Sequence, residues 1–336
     1  MSEVNYVYTT TSKQLKAKRI KSYLIHIGLF IITFITTTLA GVEWTTGRPG
    51  PFEISTIIEK GLPYSISIML IITCHEFGHF FAAVYHKVKS TLPFYIPFPP
   101  IPIFINFGTL GAVIKTKSPI YTKKAMFDIG VAGPIAGFIA TIAILIYGFM
   151  NVPGIDYLLS IHPDYLTEEY GKSGLSLEFG NSILFLFFKE IFAGSNMFFP
   201  PMTEIYHYPY LTAGWFGLFI TSMNMIPVGQ LDGGHISYTM FSDKKHYNIS
   251  VISFLFLFIL GITGMVEALL EMNFGFGWSG WLFWALVLYF IIKLKHPPVM
   301  DTTPLDNKRM ILGYISFIIF ILSFSPAPIV LNLVGQ

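Results

Sequence analysis

Two histidines and a glutamate stand at a spacing that suits metal-assisted hydrolysis. The run Thr73-Cys74-His75-Glu76-Phe77-Gly78-His79-Phe80 lies inside an otherwise apolar segment from Tyr64 to Tyr85. Residues four apart on a helix share a face, so His75 and His79 point the same way and their imidazoles can grip one metal ion. Glu76 follows the first histidine directly and stands beside that ion, placed to take a proton from an attacking water. The bland alternative is two packed histidines with a glutamate snorkelling toward water, but the site lies too deep in the segment for that. A charged side chain near the middle of a membrane helix costs at least about 2.5 kcal/mol, which argues for use.

The elements that must position this trio are membrane helices. The chain has 336 residues, is 53% hydrophobic and 12% charged, and has a mean hydropathy of +0.61, outside the soluble globular range. Apolar runs near 22–42, 64–86, 125–150, 211–227, 248–271, 277–295 and 309–331 predict an all-α polytopic membrane protein of about seven transmembrane helices. Pro227 makes the fourth run the shortest. Residues 1–21 read as a cytoplasmic arm and 22–336 as a single membrane domain, with a catalytic core over about 64–243. Basic clusters at Lys13–Lys21, Lys87–Lys124, Lys244–Lys245 and Lys293–Arg309 fall on one side of an alternating chain. The positive-inside rule then places the N-terminus in the cytoplasm and the C-terminus outside, with the cell membrane as the default bilayer. The net charge of +2 gives no footprint for nucleic acid, and the single cysteine, Cys74, excludes an intrachain disulfide.

Between the second and third runs, Pro93, Pro97, Pro99, Pro100 and Pro102 exclude a continuous helix and predict a re-entrant or surface-dipping loop. Gly108, Thr109, Leu110 and Gly111 follow, and the alternation from Ala112 to Lys117 suggests a strand or hairpin beside the active site. An exposed strand edge can hold an extended substrate peptide; the alternative is an amphipathic connecting loop. In the third run Gly130, Gly133 and Gly137 serve close helix packing against the metal helix, and Asp128 is expected to reach Lys123 or Lys124. Residues 151–210 form an acidic external loop, with Ile183–Phe188 as an interfacial helix.

The second half of the site is Asn224-Met225-Ile226-Pro227-Val228-Gly229-Gln230-Leu231-Asp232-Gly233-Gly234-His235. Pro227 and the glycines break the helix, and Asp232 falls at a depth that lets it complete a His, His, carboxylate set with a fourth position left for water. Asn224 either donates a hydrogen bond to the reacting carbonyl or braces the broken helix. His235 is expected to satisfy loop backbone.

Together, H-E-x-x-H in a membrane span, a G-x-x-G segment and a later N-x-x-P-x-x-x-L-D-G resemble the site-2 protease family of intramembrane zinc metalloproteases, over about Tyr64 to His235. The proline-rich run with G-T-L-G is similar to the branch of archaea, bacteria and plastids, and no segment between spans is long enough for the PDZ domain some members carry. The resemblance implies one zinc ion on His75, His79 and Asp232, Glu76 as base, Asn224 near the reacting carbonyl, and a membrane-protein substrate, single-span, cut within or near its transmembrane segment. The alternative is a non-proteolytic scaffold or chaperone keeping the same fold. A metal permease lacks support in the absence of acids and histidines spread over several spans, and a prenyl-protein-type peptidase would use glutamate as third ligand.

Overall fold

Apolar runs longer than a bilayer core become helices because only there does each backbone amide and carbonyl find a partner within its own segment. The computed structural model describes residues 12–99, 106–172, 174–192, 198–270, 272 and 275–334. In chain order, α1 spans Ser12–Thr46 and α2 spans Ile54–Tyr85, followed by strands β1 (Phe94–Pro97) and β2 (Thr109–Val113). Next come α3 (Lys123–Met150), α4 (Ile155–Ile161), β3 (Gly174–Phe179) and α5 (Ile183–Phe192). The remainder is α6 (Pro209–Met225), α7 (Asp232–Met240), α8 (Asp243–Leu270), α9 (Gly280–Ile292), α10 (Asn307–Ser323) and β4 (Ile329–Val334).

Among the described residues four helices, α1, α2, α3 and α8, are long and apolar enough to cross a membrane, which corrects the expectation of about seven. The other three apolar runs do form helices, but α6 and α10 have 17 residues each and α9 is also short. α6 is sheathed by protein: Leu211, Ala213, Trp215, Phe216 and Leu218 are each 2% exposed or less. Hydropathy does not distinguish such a core helix from one bathed in lipid. α10 stops at Ser323 because Pro326 and Pro328 turn the chain into β4, which pairs antiparallel with β3 from Gly174↔Val334 to Phe179↔Ile329. The external C-terminus rested on an odd number of crossings and loses that support.

The long helices carry their apolar side chains outward as well as inward. Leu24, Ile27, Ile31 and Ile35 on α1, and Ile252 and Ile259 on α8, are exposed, a surface that belongs in lipid rather than water. α2 and α3 pack most closely, with Gly78 of α2 set against the backbone of Ala132 and Gly133. Tyr64, Ile68 and Ile71 of α2, Leu145 of α3, Trp215 and Phe216 of α6, and Phe179 of β3 form the main core. α1 leans on α2 through Thr37 and Ser65, whose hydroxyls are 2.7 Å apart, and residues 12–21 continue that helix.

β1 and β2 pair antiparallel in the register Phe94↔Val113, Tyr95↔Ala112 and Pro97↔Thr109 with a bulge between Tyr95 and Pro97. β2 overlaps the alternation read from Ala112 to Lys117 only at Ala112 and Val113, and β1 lies in the proline-rich run read as a loop. Pro100 and Pro102, part of the re-entrant reading, lie outside the described residues. α5 is amphipathic, burying Phe185 and Phe188 and exposing Ile183, Phe187 and Ile191. Asp128 does not reach Lys123 or Lys124: it accepts from Arg309 Nε and Nη2 at 2.8 and 2.6 Å and lies 2.8 Å from His86 Nε2. That network ties the ends of α2, α3 and α10.

Candidate metal centre

α2 sets His75 and His79 one turn apart on the face turned to α3, with their Nε2 atoms 3.0 Å apart. Asp232, the first residue of α7, brings Oδ2 to 3.3 Å from each of them. A tetrahedral zinc ion with ligand distances of about 2.0–2.2 Å holds its ligand atoms roughly 3.3 Å apart. The trio stands at that spacing and its donor chemistry suits zinc, so these residues fit the ion.

Local contacts decide which nitrogen is offered. His79 Nδ1 lies 2.7 Å from the carbonyl of Ile129, which only accepts, so Nδ1 carries the proton and Nε2 keeps its lone pair for the metal. α3 makes room for the rings with glycine. A methyl at Gly133 would overlap the His79 imidazole, and one at Gly137 would lie 3.0 Å from His75 Cβ and 3.2 Å from its Nδ1.

Asp232 arrives by a tight reversal. α6 ends at Met225, the Leu231 amide donates to the Val228 carbonyl at 3.1 Å, and Gly229 takes a φ of +53°. Gly233 and Gly234 lie against the carbonyls of Met225 and Gly229, where a Cβ would not fit. The carboxylate at the first turn of α7 also meets the positive end of that helix.

Glu76 is 6% exposed, and the backbone of Ile114, just beyond β2, faces its carboxylate. The hydroxyls of Thr73 and Tyr95 are 2.9 Å apart and fasten β1 to the metal helix. The Gly108–Gly111 stretch divides in two. Gly108 (φ +75°) is pressed on α1, its carbonyl accepting from Thr36 Oγ1 at 2.6 Å and its amide donating to Asn106 Oδ1 at 2.8 Å. Thr109 is buried, whereas Leu110 is 64% exposed and Gly111 (φ +93°) faces open space. Asn224 lies in the last turn of α6, half-buried, and its amide has no hydrogen-bond partner among the described residues.

Sequence reasoning missed His296. His296 Nδ1 donates to the Pro297 carbonyl at 2.6 Å, which leaves its Nε2 to accept from His235 Nδ1 at 2.7 Å. His235 therefore meets another imidazole rather than loop backbone. Burial, with His296 beside it, pushes His235 down to about 4, and burial lowers His296 as well. The Ile129 carbonyl gives no sign in the sequence, whereas the glycine spacing at 133 and 137 is a usable signal for the ring seats; Gly130, expected against the metal helix as well, lies instead on His235 of α7.

A sequence profile of peptidase family M50 matches residues 63–260, which contain all of His75, Glu76, His79, Asn224 and Asp232. The chain is 34% identical over 241 residues to a rice (Oryza sativa subsp. japonica) protein described as probable zinc metalloprotease EGY1, chloroplastic, covering 70% of this chain and 36% of that one. It is 27% identical over 322 residues to the Arabidopsis thaliana protein of the same description, covering 90% and 53%. With the Arabidopsis thaliana protein described as probable zinc metallopeptidase EGY3, chloroplastic, it shares 25% identity over 312 residues, covering 90% and 49%. The chain thus spans between about a third and a half of the length of these relatives. No solved structure matches it.

Proposed function

The chain belongs to peptidase family M50, and from that premise we propose that it cleaves single-span membrane proteins within or near their transmembrane segments, using one zinc ion. The observation that carries this reading is the meeting of His75, His79 and Asp232 ligand atoms within 3.3 Å of one another inside the helix bundle. A zinc ion held there would supply Lewis acidity to water and to the scissile carbonyl. Glu76 takes the proton of the attacking water and passes it to the leaving amine. Asn224, with its amide uncommitted, donates to the carbonyl oxygen as charge develops.

A peptide bond in a helix has its carbonyl already hydrogen-bonded, so the substrate must unwind before it is cut. The free edge of β2 at Leu110 and Gly111, leading to Ile114 beside Glu76, supports a role in holding the unwound strand. Gly108 and Thr109 contribute by fixing that edge. The basic clusters in the first turns of α1 and between α2 and α3 support a cytoplasmic N-terminus. Glu76→Gln is expected to abolish cleavage of a membrane-anchored substrate while the purified protein keeps its zinc; unchanged turnover would refute the assignment.

A further inference from the structure

We infer that this chain holds a second transition-metal ion, of the zinc class, on His162, Glu204 and His207. His79 is seated on Gly133 of α3, whereas Tyr210 and Leu211, just after His207, pack on Gly148 of the same helix. At about 1.5 Å rise per residue the two sites stand roughly 22 Å apart along α3, so this one takes no part in the chemistry described above.

The ligand atoms converge. His162 Nε2 is 3.0 Å from His207 Nε2, and Glu204 Oε2 is 3.5 Å from His207 Nε2 and 3.9 Å from His162 Nε2. These separations bracket the roughly 3.3 Å expected around a tetrahedral ion. Their average needs only a few tenths of an ångström of closure. His207 is fully buried and Glu204 is 4% exposed.

Two features point to a cation rather than to an ordinary polar cluster. Glu204 Oε2 is buried and has no hydrogen-bond partner, and among the described residues its salt-bridge partners are the two histidines alone. His207 Nδ1 lies 2.9 Å from the Thr45 carbonyl, which only accepts, so Nδ1 holds the proton and a neutral ring offers a bare Nε2. If His162 then donates to that nitrogen, Oε2 is left unpaired. If both rings are protonated toward the centre, two N–H groups collide at 3.0 Å. One ion at the centre satisfies all three atoms.

The surroundings are built for it. Tyr170 donates to Glu204 Oε1 at 2.9 Å, which turns Oε2 toward the imidazoles. Tyr157 donates to the His207 carbonyl at 2.8 Å. The His162 side chain is 29% exposed, so a fourth ligand can enter from solvent. His162 follows α4, Glu204 and His207 precede α6, and Thr45 lies in the last turn of α1, so the ion clamps the loop that carries them to the bundle.

Zinc content of purified full-length chains tests the assignment. Expected values are two equivalents for wild type, one for Asp232→Ala, one for His162→Ala, and none for the double variant. Glu204→Gln, which keeps a partner for Tyr170, is expected to lose one equivalent as well. Adding zinc back to chelator-stripped Asp232→Ala protein should raise its melting temperature by about 5 °C or more at saturation, with no rise in the stripped double variant. One equivalent in wild type that His162→Ala keeps and Asp232→Ala loses, or none in Asp232→Ala with no thermal shift on added zinc, overturns the site. The Asp232→Ala protein leaves the second cluster intact, so it decides the matter even if His162→Ala fails to fold.

Discussion

Replacing Gly133 by alanine isolates the contribution of α3 to the metal centre. In a free helix the change would add stability, because alanine is favoured over glycine by about 1 kcal/mol. Here the new methyl would overlap His79 Nε2, the nitrogen offered to the ion. Carbon and nitrogen at rest lie about 3.5 Å apart, so the ring must retreat by roughly 1 Å or more. Metal–ligand distances tolerate about 0.2 Å. Pivoting the ring instead breaks the 2.7 Å bond from Nδ1 to the Ile129 carbonyl and releases the tautomer. Either way the zinc affinity of this centre should fall about 100-fold or more, or about 3 kcal/mol, and cleavage should fall with it. At Gly137 a methyl would sit 3.0 Å from His75 Cβ, a tight contact that small shifts relieve, so Gly137→Ala should cost only about tenfold. Zinc titration against a competing chelator, with thermal unfolding to establish that each variant folds, gives the comparison. A Gly133→Ala protein that binds zinc like wild type, or a Gly137→Ala protein more impaired than it, refutes the argument that glycine seats these rings.

Asn224→Ala is expected to leave zinc content unchanged and to lower kcat by about 10²–10³-fold; a drop in melting temperature with kcat intact would assign Asn224 to bracing the broken helix instead. Arg309→Met removes both bonds to a partly buried Asp128 and should lower unfolding stability by about 2 kcal/mol, with zinc content unchanged. An unaltered melting temperature would show that this junction of α2, α3 and α10 does not hold the bundle together.

What was legible in the sequence follows from the range of the interactions. His75 and His79 announce themselves because one helical turn fixes their relation, and Gly130, Gly133 and Gly137 announce close packing for the same reason. Asp232 lies far along the chain, but its depth and the break made by Pro227 and the neighbouring glycines permit it to meet the histidines. The family resemblance implies the ligand role, and the structure places it 3.3 Å from both imidazoles. Longer-range pairings left no such mark. Asp128 has two lysines within five residues, yet Arg309, distant in the chain, wins because its guanidinium matches both carboxylate oxygens.

The count of crossings failed for a different physical reason. A hydropathy window measures aversion to water, and Trp215 and Phe216 avoid water equally well in a protein core or in lipid. Only the β3–β4 pairing and the burial of α6 reveal which applies. His162, Glu204 and His207 show the converse blindness. In a polar loop such residues are ordinary, and nothing in their spacing marks them. Their meaning comes from the burial of Glu204 and its unpaired Oε2. Cost is what makes a polar residue informative. At Glu76 the cost can be read from the apolar residues on either side, whereas at Glu204 it is imposed by residues distant in the chain and becomes visible only in the folded protein.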